Sequence, residues 1–264
     1  MELPKKVVWI TGASSGIGEA LAYEFNKKGT HLILSSRRVE ELLRVKEGCH
    51  NHEETVKVLP LDLSDADELP GKVEEAISLF GSVDMLINNG GISQRAYAAD
   101  SSMETIRQLM EVNFFGTIAL TKAVLPSMIE QKSGHIVVIS SVMGKLGTRH
   151  RSAYAASKHA LHGWFDCLRQ EMYQNNIHVT LVCPGFVKTN ITVNALTAQG
   201  QKYSKMEDAQ KKAMSPEEFA RKLLPKLAKG KEEIYIGGYE IMAVYVKRFF
   251  PGILNKILRR AKVT

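Results

Sequence analysis

A chain of 264 residues is long enough for one large α/β domain or two small ones, and at this size it buries roughly three quarters of its unfolded surface. Apolar residues make up 44% and charged residues 24%, which excludes a disordered or low-complexity protein. The net charge of +7 comes without any nucleic-acid recognition motif, so an anionic cofactor and an acidic membrane surface, rather than nucleic acid, are the expected partners of the excess.

The first apolar run, residues 7–10, suits a strand buried on both faces. Thr11-Gly12-Ala13-Ser14-Ser15-Gly16-Ile17-Gly18 follows it, and a helical pattern over 19–28 follows that. Strand, glycine-rich turn and helix in this order open a dinucleotide-binding βαβ unit. The glycines let the backbone approach a pyrophosphate, and the helix start offers free N–H groups.

The second run, 32–34, ends at Ser35-Ser36-Arg37-Arg38. An acidic residue at the end of this strand would bind the ribose hydroxyl of NAD. Ser36 stands there instead, followed by two cations. A guanidinium binds a 2′-phosphate that a carboxylate would repel, so NADP(H) is expected, with Arg37 as main clamp and Arg38 and Ser36 as helpers. The alternative is two solvated arginines opening the next helix, where the dipole disfavours them.

Further strands are expected at 56–60, 85–87, 136–139 and 179–182, with a seventh at Glu233–Ile236. Helical periods separate them at 40–49, 68–80, Met103–Glu130 and 153–174. The alternation predicts α/β architecture: a single-domain Rossmann-type doubly wound parallel sheet of about seven strands with helices on both faces. The glycine turn would follow strand one, Arg37 strand two, Asp62 strand three, Asn89 strand four, Ser141 strand five and Pro184-Gly185 strand six. Open α/β sheets bind ligands beyond the carboxyl ends of their strands, so all these landmarks gather on one edge.

The chemistry is expected at Tyr154-Ala155-Ala156-Ser157-Lys158. On a helix the i, i+4 pair shares one face, which sets an ammonium beside a phenol. A free tyrosine titrates near pH ~10, and a neighbouring cation lowers that value. Ser141, delivered by the preceding strand, could hydrogen-bond a substrate oxygen. Such a group exchanges protons in carbonyl–alcohol interconversion and requires a hydride carrier.

In order along the chain stand Thr11-Gly12-x-x-x-Gly16-x-Gly18, Asp62-Leu63, Asn88-Asn89-Gly90-Gly91, Asn113, Ser141, Tyr154-x-x-x-Lys158 and Pro184-Gly185. With them the chain resembles the short-chain dehydrogenase/reductase family over most of residues 5–190. One departure is Gly90, where the family has alanine. Asn88–Arg95 and Ser157-Lys158-His159-Ala160-Leu161 are similar to the branch around dehydrogenase/reductase member 7 and the 11β-hydroxysteroid dehydrogenases. Animal members of that branch carry an N-terminal membrane anchor, for which this chain is expected to have no room.

The resemblance implies a catalytic tetrad. Ser141 polarises the carbonyl, Tyr154 gives or takes the proton, Lys158 lowers the tyrosine pKa and holds the nicotinamide ribose, and Asn113 kinks its helix and holds a relay water. It implies cofactor contacts at Gly12, Ser14, Ser15, Gly16, Ile17 and Gly18. Further contacts are expected at Ser36, Arg37, Arg38, Asp62, Leu63, Asn89 and Gly90, and at Tyr154, Lys158, Pro184, Gly185, Val187 and Thr189. Asp62 could bond adenine or merely cap the helix beginning near Ser64. The family also implies a homodimer or homotetramer through the long helices. An epimerase or dehydratase on this fold, and a redox sensor or scaffold that binds NADP(H) without catalysis, are the competing readings.

The dinucleotide-binding catalytic domain is expected over 1–238, with a mobile polar lid at about 186–214. Met143 and Phe186 are expected to contact substrate, and Gln94 and Leu146 are further pocket-wall candidates. Residues 239–264 form an extension in which aromatic and aliphatic residues alternate with lysines and arginines, read as two short amphipathic helices broken at Pro251-Gly252. This pattern suits a membrane interface, and equally a dimer contact or a flap over the pocket. An apolar entrance suggests a lipophilic ketone or alcohol of steroid, retinoid or fatty-acyl type.

No metal is expected, because the histidines lack ligand spacing and His159 and His162 read as helix-face residues. Cys49, Cys167 and Cys183 have no paired pattern, and neither a secretory signal nor an apolar stretch of ~20 residues is read. A cytoplasmic protein, peripheral on a membrane if the extension docks there, is the expectation.

Overall fold

In the first strand Val7 and Trp9 point to one side and Val8 and Ile10 to the other, and all four are buried. A strand with no solvent face must lie inside a sheet covered twice. The computed structural model, which describes residues 3–205 and 213–260, has that arrangement. Its strands are β1 (Val7–Thr11), β2 (His31–Ser35), β3 (Val56–Val58), β4 (Met85–Asn88), β5 (Gly134–Ile139), β6 (Ile177–Pro184) and β7 (Glu233–Ile236). All pairings are parallel, in the order β3-β2-β1-β4-β5-β6-β7.

On one face lie α1 (Gly16–Asn26), α2 (Val39–Glu47) and a helix over Pro216–Ala228, packing Leu21, Phe25, Leu42, Val45, Phe219 and Leu223 against Val8, Ile10 and Leu34. The other face carries α3 (Leu69–Phe80), the segment Met103–Glu130 and α6 (Ser152–Glu171). These bring Val73, Leu120, Val124, Leu161 and Phe165 onto Trp9, Ile136 and Leu181. The long segment consists of α4 (Met103–Met110), a π-helical turn at Glu111–Phe115 and α5 (Gly116–Glu130). Contrary to the sequence reading, it is apolar and long enough to cross a bilayer by length and composition. Half of its apolar window is buried inside the protein, where Leu120, Val124 and Met128 meet the sheet.

The helix Pro216–Ala228, α7, was not read from the sequence. Its start has a legible signal: Ser215 caps it by accepting from the Glu218 N–H at 3.1 Å, and proline occupies the first turn. Charged residues along its exposed side mask the apolar stripe of Phe219, Leu223 and Leu227.

Two helices close the chain, α8 (Met242–Phe249) and α9 (Pro251–Arg260), after a 3₁₀ turn at Tyr239–Ile241. They break at Phe250, with Pro251 opening the second. Glu240 ties them to the domain, accepting from the Phe186 N–H at 2.8 Å and the Gly238 N–H at 2.9 Å. Ile241, Ala243 and Val244 pack on Val142, Met143, Leu146 and Tyr154. The segment 186–205 is anchored at points along an otherwise exposed course: Thr192 and Ala195 are fully buried, and Leu196 bridges to Gln94. Residues 206–212 of the expected lid and 261–264 of the extension lie outside the described residues.

Candidate active site

The order of strands reverses between β1 and β4, and the carboxyl ends there open into a narrow cleft. Ser141 follows β5 in extended conformation, its hydroxyl accepting from the Met143 N–H at 3.1 Å. Tyr154 and Lys158 project from the first turns of α6, where both line the cleft with Ser141. Ser141 and the Tyr154 phenol line the same cleft, and hydrogen bonding by Ser141 is among the influences that lower the phenol's pKa.

The electrostatics differ from the simple i, i+4 argument. Burial, the largest influence, raises the Tyr154 pKa above its ordinary value, and the Ser141 bond and then Arg151 and Arg95 pull it back down. Lys158 does not act on it as a direct partner. Its Nζ donates to the Ile139 carbonyl at 2.9 Å and lies 6.0 Å from the centre of the Tyr154 ring. Desolvation lowers the Lys158 pKa to about 8, so the amine is still largely a cation at neutral pH.

Asn113 sits in the π-helical turn and is fully buried. Its amide donates to the Ile92 carbonyl at 2.9 Å and the Ser157 hydroxyl at 3.0 Å, and its oxygen accepts from the Ile92 N–H at 2.8 Å. The one-residue widening turns this side chain off the helix toward the loop after β4. Gly91 lines the gap: a Cβ there would lie 3.0 Å from Asn113 Oδ1 and 3.7 Å from Lys158 Nζ.

The glycine-rich turn has the geometry of a phosphate cradle. Gly12 has φ +64°, and a Cβ on it would lie 2.9 Å from Gly90 Cα and Asn89 Nδ2. Gly16 has φ +60° and opens α1, whose first N–H groups receive no side-chain cap from Ser15. Asn89 braces the turn by donating to the Thr11 carbonyl at 3.0 Å and the Gly12 carbonyl at 3.2 Å. Gly18 packs beside Gly12 and Asn89.

At the end of β2, Arg38 rather than Arg37 is fixed to the turn. Its guanidinium donates to Ser14 Oγ at 2.9 Å and Ser15 Oγ at 3.1 Å, and the Ser36 hydroxyl accepts from the Arg38 N–H. Arg37 is exposed and stands 3.8 Å from Asp62. Asp62 Oδ1 accepts from the Ser64 N–H and hydroxyl, holding a turn well before α3 begins at Leu69. Leu63 is buried against Gly90, where even an alanine methyl would crowd its Cδ1 at 2.6 Å. The departure to glycine at 90 is therefore matched by the leucine beside it.

Ile17, Pro184, Gly185, Phe186, Val187 and Thr189 all line the cleft, joining the turn to the catalytic trio. Met143 and Leu146 do not; they pack behind Tyr154 in an apolar cluster. Gln94 is fully buried and committed elsewhere, accepting from the Ala153 N–H at 2.8 Å and donating to Ser101.

Arg95 and Arg151 line the cleft although neither was read from the sequence. Nothing in their spacing marks them, because a loop and a helix cap bring them together only in the fold. His162, read as a helix-face residue, lies on the buried face of α6. Its Nε2 meets Ser140 Oγ at 3.0 Å and Cys183 Sγ at 3.6 Å, and its Nδ1 is 3.7 Å from Glu233. His162, Cys183 and Glu233 are close enough to share a cation, but the Lys145 ammonium already stands 2.6 Å from Glu233.

The short chain dehydrogenase family pattern matches residues 6–200. The dehydrogenase/reductase SDR family protein 7-like of Anopheles gambiae is 42% identical over 261 residues, covering 97% of this chain and 82% of that protein. Family member 7B of Mus musculus is 41% identical, covering 97% and 81%, and member 7 of Homo sapiens is 41% identical, covering 95% and 76%. Among solved structures, a short-chain dehydrogenase/reductase from Burkholderia phymatum in complex with NAD superposes with a TM-score of 0.85 over 96% of each chain, at 23% identity, a likeness of fold. A short-chain dehydrogenase from Streptomyces avermitilis gives a TM-score of 0.76 at 28% identity, over 96% of this chain and 94% of that one.

Proposed function

This chain belongs to the short-chain dehydrogenase family, and within it we propose an NADP(H)-dependent oxidoreductase that interconverts a carbonyl and a secondary alcohol on a lipophilic substrate. The observation that carries the reading is one continuous cleft with Ser141, Tyr154 and Lys158 at one end and the turn-facing residues Ile17 and Asn89 at the other. The cradle fits a dinucleotide: left-handed glycines, an uncapped helix start and a cation held over two serines.

The bound nicotinamide supplies or accepts the hydride. The chain's residues do the rest. Ser141 orients the substrate oxygen by hydrogen bonding, and Tyr154 delivers a proton to that oxygen in reduction or removes it in oxidation. Lys158, held by the Ile139 carbonyl, keeps a positive charge behind the phenol and presents donors to a ribose. Asn113 fixes the loop after β4 through its paired bonds with Ile92, which keeps Gly91 open between it and Lys158.

The 2′-phosphate is assigned to Arg38 and Arg37, with Ser36 holding the Arg38 backbone. A lipophilic substrate is in keeping with the apolar Ile139, Phe186, Val187 and Ile191 of the cleft wall and with the exposed Phe249, Phe250, Ile253 and Ile257 of the terminal helices. Lys247, Arg248, Lys256, Arg259 and Arg260 stand among them, a composition suited to the surface of an anionic bilayer. The protein is assigned to the cytoplasm with peripheral membrane contact there, as a homodimer or homotetramer through α4–α5 and α6, where Phe115 and Ile129 are exposed. The test is steady-state NADPH oxidation across a ketone panel with wild type and Tyr154→Phe; turnover retained by the variant overturns the reading.

A further inference from the structure

β6 and β7 run side by side up to Pro184 and Ile236, and the Gly185 N–H then takes the Ile236 carbonyl at 2.9 Å. Beyond that bond the ladder ends, and an N–H held inside the protein needs another acceptor. The next one along, on Phe186, goes to Oε1 of the half-buried Glu240 at 2.8 Å. The same oxygen accepts from the Gly238 N–H at 2.9 Å. Bonds from backbone donors to a carboxylate are charge-assisted and stronger than those to a neutral acceptor.

Glycines shape the place that this carboxylate occupies. A Cβ on Gly185 would overlap Glu240 Oε1 outright, one on Gly237 would lie 2.6 Å from it, and one on Gly238 would lie 3.0 Å from Oε2. The strand ends therefore leave a slot, and the chain that follows β7 fills it with Glu240. Glu240 is not among the described residues that line the cleft, whereas Pro184, Gly185, Phe186 and Val187 are, together with Ser141, Tyr154 and Lys158. The extension carrying Glu240 also grips the loop between Ser141 and Arg151. Lys247 Nζ donates to the Lys145 carbonyl at 2.6 Å, and the Arg149 guanidinium donates to the Arg259 carbonyl. Loops after neighbouring strands, both supplying cleft residues, are thus held by one appended segment.

We propose that Glu240 is a positioning residue: its carboxylate fixes residues 184–187 against the nicotinamide, so that the terminal extension sets the geometry of hydride transfer without touching the reacting atoms. This rests on the reading of the cleft as the site of a nicotinamide-dependent oxidoreductase. What the slot requires is an acceptor oxygen at the reach of a glutamate side chain. Glutamine supplies one, aspartate keeps the charge but falls a methylene short, and alanine supplies neither.

The test uses the full chain with NADPH, a panel of ketones, and 2′,5′-ADP as a probe of the adenosine half of the site alone. Single-turnover hydride transfer should slow by roughly 10- to 100-fold in Glu240→Ala and Glu240→Asp, since a misplacement of about 1 Å costs on that order. Affinity for 2′,5′-ADP should stay at the wild-type value, and Glu240→Gln should recover most of the rate. The fluorescence of bound NADPH should shift in the alanine and aspartate variants and return in the glutamine variant. Wild-type rates in both shortened variants, or recovery by aspartate but not by glutamine, overturn the proposal. Loss of 2′,5′-ADP affinity in step with the rate also overturns it, because a merely structural role disturbs both halves of the cofactor site. The two readings fail separately. If wild type reduces no ketone, the oxidoreductase reading falls and the fluorescence of bound NADPH still judges Glu240. If wild type turns over and the variants match it, the oxidoreductase stands and the positioning role is lost.

Discussion

The Lys158 ammonium lies 6.0 Å from the centre of the Tyr154 ring while its hydrogen bond goes to the Ile139 carbonyl. Two residues one helical turn apart thus share a cleft, with the ammonium over the ring rather than hydrogen-bonded to the phenol oxygen. After burial, the groups that act on the phenol's pKa are Ser141 first and then the cations Arg151 and Arg95. Tyr154→Phe keeps the ring and its packing but removes the proton, so kcat should fall by about 10²–10⁴-fold while NADPH affinity stays near wild type. Stopped-flow reduction and fluorescence titration on one preparation separate the two effects, and a variant that loses both alike would point to a structural role.

Removing a buried charge should stabilise the protein that it disables. Burial lowers the Lys158 pKa to about 8 in the folded state, against ~10.4 for a free lysine. The unfolded chain therefore binds more protons between these values, and wild-type stability rises with pH across that window. Lys158→Met removes the penalty, so its stability relative to wild type should be greatest below pH 8 and decline as pH climbs toward ~10.4. The lost bond to Ile139 adds a cost that does not vary with pH. Apoprotein melting at pH 7 and pH 9.5 reads the trend, and a constant difference would refute it.

His162 should make the protein acid-sensitive. Burial holds its pKa down at about 4, with Lys145 assisting. A free histidine titrates near ~6.5, so stability falls with pH between that value and about 4 and is not lost further below. His162→Gln should flatten urea-unfolding free energies over this range. An unchanged slope would show that other groups govern the loss.

Cofactor choice should depend on Arg38 at least as much as on Arg37. Arg38 is fixed over Ser14 and Ser15, whereas Arg37 is exposed beside Asp62. Replacing either with alanine should raise the KM for NADPH by roughly 10- to 100-fold with little change for NADH. Arg37→Asp should move preference toward NADH. If both cofactors respond equally, the arginines hold the turn rather than read a phosphate.

Bilayer contact should survive only with the apolar face of the terminal helices. Truncation at Gly238 would also remove the Glu240 bond to Phe186 and take Ile241 and Val244 from the wall behind Tyr154, so point substitutions are the cleaner probe. Phe249→Ser, Phe250→Ser and Ile253→Ser combined should abolish flotation with anionic vesicles and leave NADPH binding intact. Flotation equal to wild type would assign this face to a protein contact.

Sequence alone determined the sheet, because short apolar runs such as Leu32-Ile33-Leu34 and Val137-Val138-Ile139 alternate with helical periods, which suits strands buried on both faces. It also determined the glycine turn and the Tyr154–Lys158 spacing, since a positive φ and a helical repeat belong to the backbone itself. The helix Pro216–Ala228 escaped because charge on its open side hides the apolar stripe that binds α1. Tertiary structure alone decided what surrounds the phenol. Arg95 and Arg151 are 56 positions apart in the chain, and they become neighbours of Tyr154 only when the loop after β4 is bridged to the start of α6. Burial and long-range charge set the cleft's electrostatics, and both depend on which segments the fold brings together rather than on their spacing along the chain.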